Sequence, residues 1–187
     1  VRDPAGSGPL LRRVFSRFRI PVAVHADLPV TRTLTGAGLL ALLRAAVGRG
    51  EAEDLLAYLR TPGMASPGRV DWLERRVRRD RLRTADQAHE AWQRNDRPPL
   101  EEIGRLREAG SDGELLLEAG RQARWLAEAV LYRKGDTASD ERALELRAGA
   151  ELEGALAELA ELGLPNSAAD AITAVSEQRV ALWRGPT

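Results

Sequence analysis

Residues 60–84 read RTPGMASPGRVDWLERRVRRDRLRT and predict a turn followed by one strongly basic helix. Residues 61–63 have the composition of a turn, and residues 66–67 match a helix cap followed by proline at the first helical position. The segment holds eight arginines and three acidic residues, a local charge of +5, so the rest of this neutral chain carries −5. Its apolar side chains recur at helical spacing and predict a buried stripe: Val70, Leu73 and Val77.

Two interpretations of this basic helix stay open at the level of the sequence. Dense arginine suits phosphate, because the guanidinium fork matches phosphate oxygens and because non-specific affinity for nucleic acid is mostly electrostatic. The alternative is an amphipathic helix whose solvated basic face pairs with acidic helices of the same chain or of another protein. Residues 136–177, with a net charge of −8, are the obvious partner within the chain.

Composition narrows the classes of protein to which the chain can belong. At 187 residues it has the size of one domain, and aromatic residues make up only 4%, so leucine, alanine and valine must build the core. The absence of cysteine excludes disulfides, thiolate catalysis and cysteine zinc sites. No apolar run approaches the roughly 20 residues of a membrane span and no signal peptide appears, so we expect a cytoplasmic protein without a membrane partner. Because the sequence starts without methionine, we also expect it to be part of a longer polypeptide.

Apolar periodicity and capping residues predict a mostly α fold of eight or nine helices. Thr35 is the expected cap of the second helix, and Thr84 with Gln87 fits a capping box. Short extended segments at about 20–25 and 179–184 add a minor β element, with a connector predicted over 27–33. We expect the two segments to pair, since each is otherwise an exposed edge. Five of the predicted helices have both bounds: about 8–18, 36–48, 51–60, 85–94 and 112–133. Of the other four, one starts at 67, one ends at 109, one runs from 137 or 139 to 162, and one ends near 177.

The chain lacks the residue patterns of common catalytic sites. Its single lysine, Lys134, stands at a predicted helix end, so the chain has no glycine-rich phosphate loop of the kind that ends in Lys-Ser or Lys-Thr. His25 and His89 have no acidic or seryl partner at a useful spacing, and structural roles are favoured for both. The Asp140-Glu141 pair follows a polar segment, whereas a magnesium-binding pair normally follows an apolar strand. We therefore predict no enzymatic activity, no cofactor and no metal site. Core packing is favoured over base stacking for all four tryptophans: Trp72, Trp92, Trp125 and Trp183.

Several segments, taken in order, carry a resemblance to a known family. The chain opens with VRDP, the helix LLRRVFSRF and then IPV at 20–22; LLALLRAAV and DLLAYLRTP follow, and ELGLPNSAADAITAVSEQRVALWRGPT closes it at 161–187. This order resembles superfamily-one (UvrD/Rep-like) DNA helicases, and most closely the helicase-like subunit of AddAB-type (RecBCD-like) ATP-dependent helicase–nucleases. The resemblance implies that residues 1–34 are a remnant of the second RecA-like core. Residues 35–178 would be the helical insertion called domain 2B, and 179–187 the return toward the core.

The resemblance also implies a function and partners. The fragment would be a non-catalytic, DNA-binding accessory domain of a helicase/exonuclease subunit that acts in DNA double-strand break repair and recombination. Its partners would be double-stranded or forked DNA and the other subunit of the complex. The alternative is a helical interaction scaffold that docks the partner subunit without touching DNA.

Candidate site residues follow from matching positions. Arg2 matches the core arginine that contacts the nucleotide's terminal phosphate in active members, although the rest of that site lies outside this chain. The turn before the basic helix matches a glycine-rich loop that touches duplex phosphates, but Pro67 departs from the family pattern and has no N–H to offer. The loop residues are Thr61, Gly63, Ser66 and Gly68. The expected phosphate contacts are Arg69, Arg75, Arg76, Arg78, Arg79, Arg81 and Arg83.

Overall fold

The computed structural model describes residues 4–20, 27–47, 49–94, 97–133, 139–163 and 168–181. Within these ranges the protein is mostly helical, with one small two-stranded antiparallel sheet, and the predicted fold class is confirmed. The helices are α1 (Pro4–Arg17), α2 (Leu34–Ala46), α3 (Ala52–Arg60), α4 (Pro67–Asp80), α5 (Ala85–Gln93), α6 (Glu101–Glu108), α7 (Asp112–Arg133), α8 (Ser139–Glu161) and α9 (Ala168–Glu177). The strands are β1 (Asp27–Pro29) and β2 (Arg179–Ala181), and a 3₁₀ turn over Val30–Arg32 follows β1.

The sheet joins a segment in the first part of the chain, β1, to the last residues that the structure describes. Leu28 of β1 lies opposite Val180 of β2 in an antiparallel register. The C-terminal segment therefore pairs with an N-terminal one, but the strand observed lies in the stretch predicted as a connector, and that prediction was wrong for residues 27–29. Residues 21–25 of the predicted strand lie outside the described residues. Val180 is buried, with 1% of its surface exposed. The segment that pairs is therefore selected by its distant partner strand and by packing on the core, and not by local β propensity.

Helix α2 occupies the centre of the core. Nine of its thirteen residues are buried, and it packs against α3, α6, α7, α8 and α9. A helix that is apolar over most of its circumference suits such a position. Helices α7 and α8 pack against each other along their length and against α2, and they approach closely at Gly149, where an added Cβ would lie 2.8 Å from the Cβ of Ala127.

The N-terminus of α2 is closed by a residue from far along the chain. Thr33, not the predicted Thr35, is the N-cap, and its hydroxyl accepts a hydrogen bond from the Gly36 N–H at 3.0 Å. The buried Glu145 carboxylate of α8 accepts from the N–H of Leu34 at 3.0 Å and from the N–H of Thr35 at 2.9 Å. It also accepts from the Thr35 hydroxyl at 2.7 Å. Open N–H groups and the helix dipole both favour a carboxylate here.

The C-terminus of α2 is closed in the same way by a cation. The Arg107 guanidinium of α6 donates to the carbonyl of Ala46 at 2.9 Å and to that of Ala45 at 3.3 Å. Arg107 also pairs with Asp86 of α5, so one side chain ties three helices together. A positive charge at this end complements the dipole and satisfies carbonyls that the helix leaves open.

Helix α4 lies at the periphery and packs mainly on α3 and α5. Its predicted stripe of Val70, Leu73 and Val77 is buried, as expected from the periodicity. Trp72 and Arg76 are half-buried beside this stripe, and the other arginines of the helix are exposed. The predicted capping box that starts α5 is also present: Thr84 and Gln87 exchange side-chain to backbone hydrogen bonds of 3.2 and 3.3 Å.

Candidate nucleic-acid interface

Four arginines at or near α4 are already paired with acidic side chains. Glu74 accepts from Arg60 at 2.7 Å and from Arg78, one turn away. The hydrogen bond from Arg60, together with the charge of Arg78, lowers the pKa of Glu74, so this carboxylate stays ionised. Its negative charge therefore reduces the attraction of Arg60 and Arg78 for an external anion.

Asp80 likewise pairs with arginines, at the C-terminal end of α4. Its carboxylate accepts from the Nε of Arg79 at 3.0 Å. The Nε of Arg76 lies 2.5 Å from the same carboxylate, but its geometry does not satisfy a hydrogen bond, so this contact is ionic. Of the seven predicted phosphate ligands, Arg76, Arg78 and Arg79 are thus partly neutralised within the helix.

The other four predicted ligands are exposed and have no acidic partner among the residues that the structure describes. They divide into two on the helix and two in the turn that follows it. An exposed guanidinium without an internal carboxylate keeps its full charge and its five donors for a ligand. The four free arginines, as we call them below, are Arg69, Arg75, Arg81 and Arg83.

The turn that carries Arg81 and Arg83 is held by its backbone. Arg81 ends α4 in the left-handed region, with φ 53°, and the N–H groups of Arg81 and Leu82 both donate to the carbonyl of Val77. The Arg83 carbonyl accepts from the Ala52 N–H at 2.8 Å, next to an isolated antiparallel bridge between residues 51 and 84. Two of the free arginines therefore project from a fixed turn, which reduces the backbone entropy lost on binding.

The turn before α4 contributes less surface than the sequence predicts. Thr61 is buried, with its hydroxyl 3.4 Å from the Ala57 carbonyl. Gly63 has φ +97° and faces α7, where an added Cβ would lie 2.7 Å from the Ala129 carbonyl oxygen. This glycine permits close packing of the turn on α7. Thr61 and Gly63 therefore stabilise the turn and its packing.

The other two predicted loop residues lie at the start of α4. Ser66 is half-buried and occupies the N-cap position, although its side chain makes no capping hydrogen bond there. Gly68 is exposed, with nothing within 4 Å of an added Cβ. Both lie close to Arg69 in the sequence, and the open space at Gly68 leaves room for a ligand at the first turn. Arg2, the possible nucleotide contact, lies outside the described residues.

Sequence reasoning missed three arginines near this surface. Arg44, in the last turn of α2, and Arg49 are exposed and have no ion pair among the described residues. They precede the segment 50–52, whose backbone bonds to residues 83–85 bring it beside the turn that carries Arg81 and Arg83. The third, Arg97, lies over the ring of Trp72, with 4.9 Å from the guanidinium carbon to the ring centroid. The local sequence indicates neither that Arg44 and Arg49 lie near this turn nor that Arg97 contacts Trp72.

The tryptophans differ in their burial. Trp92 is buried, and its indole N–H donates to the Pro98 carbonyl at 2.8 Å, as expected for a core tryptophan. Trp72 is half-buried against the core. Trp125 on α7 is 44% exposed, so the core role predicted for it was wrong. Trp183 lies outside the described residues.

The strongly perturbed titratable groups are structural. The Tyr58 hydroxyl is buried and donates to Glu102 at 2.5 Å, and burial followed by the Glu102 charge raises the pKa of Tyr58. His89 is buried beside Gln93, and burial followed by the Arg107 charge lowers its pKa. The Tyr58 hydroxyl and the His89 ring therefore have partners within the fold, Glu102 and Gln93. Over the described ranges, no three carboxylate or imidazole side chains gather as metal ligands would, and no helix is long and apolar enough to cross a membrane.

Comparison of the chain with protein-family models, with curated proteins and with solved structures found no match. The resemblance to helicase–nuclease subunits therefore rests on the sequence segments quoted above, and the functional argument rests on the surface of α4.

Proposed function

We propose that this chain is a DNA-binding accessory domain that performs no reaction itself and that holds double-stranded or forked DNA through its phosphates. One observation carries the proposal: the four free arginines are exposed on one helix and its C-terminal turn, without a carboxylate partner among the described residues. Contacts of this kind position a protein on nucleic acid but do not read bases.

The size of the expected effect follows from counterion release. Each phosphate that a cation neutralises contributes about −0.9 to the slope of log affinity against log salt on duplex DNA. If all four free arginines make contact, the slope is about −3 to −4. The paired arginines add less, because Glu74 and Asp80 already balance part of their charge.

The wider setting comes from the resemblance. We propose that the domain belongs to a helicase/exonuclease subunit of the AddAB type that acts in DNA double-strand break repair and recombination in the cytoplasm. In that setting the domain would contact the duplex ahead of the motor, next to the other subunit of the complex. The exposed apolar residues of α1 and of the turn that follows it, among them Leu10 (55% exposed) and Phe18 (68% exposed), fit a flanking segment that packs on further protein.

A binding experiment tests the proposal. Fluorescence anisotropy with a labelled forked duplex is measured across a series of salt concentrations. We expect micromolar affinity at low salt that weakens steeply as salt rises. Absence of binding at low salt would overturn the proposal.

The alternative function is docking of α4 on an acidic protein surface. The observation in its favour is the alternation of charge on the helix, where Glu74 and Asp80 engage four arginines and leave a mixed surface. Docking inside the chain has little support, because α4 packs mainly on α3 and α5 and not on the acidic α8. If DNA does not bind, a pull-down with the partner subunit of the complex tests this alternative.

A further inference from the structure

Trp72 lies in the first half of α4, among three of the arginines of this helix. It lies one helical turn from Arg69, Arg75 and Arg76, which are therefore its neighbours along the surface of α4. The side chain is half-buried, so part of the indole stays accessible beside these cations. An aromatic ring among arginines is the usual composition of a surface that takes an unpaired base together with its phosphate.

Arg97 lies over this ring with one of its hydrogen-bond donors unsatisfied. Its guanidinium carbon lies 4.9 Å from the ring centroid, which is the geometry of a cation–π contact. Its Nε is buried and has no hydrogen-bond acceptor. A buried donor without a partner opposes the cation–π attraction, so the cover is held only weakly.

We propose that Trp72 and Arg97 form a binding site for one unpaired nucleotide, and this proposal rests on the DNA-binding function above. A phosphate gives Arg97 the acceptors that it lacks over the ring, and the guanidinium moves to the phosphate. The indole face that it leaves is then free to stack on the base. The exchange replaces a cation–π contact by a charge-assisted hydrogen bond and a base–aromatic stack.

The site specifies the class of nucleic acid. In a blunt duplex every base is paired and stacked on its neighbours, so no base is free to reach Trp72. At a fork, the single-stranded arm supplies such a base directly beside the duplex phosphates that the free arginines hold. The domain should therefore prefer a fork, or a duplex with a single-stranded tail, over a blunt duplex of equal length.

The test compares two tryptophan variants on two DNAs. Trp72→Leu keeps an apolar side chain but removes the aromatic face, and Trp125→Leu makes the same change at an exposed tryptophan on α7. Wild type should bind the fork at least about fivefold more tightly than the blunt duplex, as expected for one stacked base. Trp72→Leu should lose this preference and keep its affinity for the blunt duplex, whereas Trp125→Leu should keep both.

A second measurement covers the case in which Trp72→Leu is unstable. Trp72→Phe retains a ring and should retain most of the preference for the fork. Tryptophan fluorescence of the wild type should be quenched by a short oligothymidylate, and Trp72→Phe should show less quenching. A fork preference that is unchanged in Trp72→Leu, or absent from the wild type although the blunt duplex binds, overturns this inference alone. Failure to bind either DNA at low salt overturns the proposed function as well.

Discussion

Glu145 and Arg107 stand at opposite ends of α2, and each satisfies the backbone groups that the helix leaves open at its own end. The carboxylate comes from α8 and the guanidinium from α6, so the charges match the helix dipole while they tie the central helix to its neighbours. This arrangement fixes the C-terminus of α2. Residues 50–52, which follow it, are hydrogen-bonded to residues 83–85 and so hold the turn that carries the free arginines Arg81 and Arg83.

The first prediction concerns the cap at the N-terminus of α2. In Glu145→Gln one of the two acceptor oxygens becomes an amide that cannot accept from the N–H groups of α2. We expect a loss of about 1–3 kcal/mol in the free energy of unfolding, measured by urea denaturation. Glu158→Gln, an exposed site on the same helix, is the control and should change stability by less than about 0.5 kcal/mol. Equal stability of the two variants would contradict the capping role.

The second prediction separates the two glycines on either side of the start of α4. Gly63→Ala should destabilise by about 2 kcal/mol or more, because its φ of +97° and the nearby Ala129 carbonyl both oppose a Cβ. Gly68→Ala has open space and a helical backbone, so it should be neutral or should stabilise by up to about 1 kcal/mol. Thermal unfolding followed by circular dichroism measures both. A Gly63→Ala variant as stable as the wild type would mean that the turn does not pack on α7.

The third prediction uses the strained end of α4. Arg81 adopts φ 53°, which costs a residue with a Cβ about 1 kcal/mol relative to glycine. Arg81→Gly should therefore raise stability by about that amount while it weakens DNA binding and lowers the salt slope by about one unit.

Arg81→Ala is the matched control, because it removes the same charge without relieving the backbone. It should weaken DNA binding as much as Arg81→Gly does, at unchanged stability. If neither variant changes affinity or slope, Arg81 makes no phosphate contact.

The fourth prediction is a pH dependence of stability. Burial, and then the Arg107 charge, lowers the pKa of His89 in the folded protein, whereas an unfolded histidine titrates near 6.5. Below about pH 6.5 the unfolded chain takes up a proton that the folded chain resists, so the stability present above this pH is lost as the pH falls.

The difference between wild type and His89→Gln isolates this effect from other titrating groups. Denaturation between about pH 7.5 and 5 should show a steeper loss of stability in the wild type. Parallel curves for the two proteins would show that His89 takes up its proton equally in both states.

The helical part of the fold could be predicted because its signals are local. The buried stripe of α4 and the capping box of Thr84 and Gln87 are readable within one or two helical turns of sequence. The Glu145 cap could not be predicted, because it joins positions 110 residues apart and depends on how α8 lies against α2. The pairing of residues 27–29 with 179–181 escaped prediction for the same reason.

The candidate site was predictable to the same extent. The sequence names the arginines, but their division into paired and free depends on contacts. Two of the pairs, Glu74 with Arg78 and Arg76 with Asp80, have the i,i+4 spacing that already indicates an ion pair. The bond from Arg60 to Glu74 and the cover of Trp72 by Arg97 depend on how separate segments pack, so the sequence gives no signal for them.

The central claim is that the four free arginines, and not the arginines paired with Glu74 and Asp80, hold DNA. The most direct test compares the slope of log affinity against log salt on a forked duplex for two variants. One is the triple variant Arg75→Gln, Arg81→Gln and Arg83→Gln. The other is the double variant Glu74→Gln and Arg78→Gln, which deletes an ion pair at constant net charge.

We expect the triple variant to lose about three units of slope and most of its affinity, and the double variant to match the wild type. A triple variant that binds with the wild-type slope, or two variants that lose affinity equally, would contradict the account.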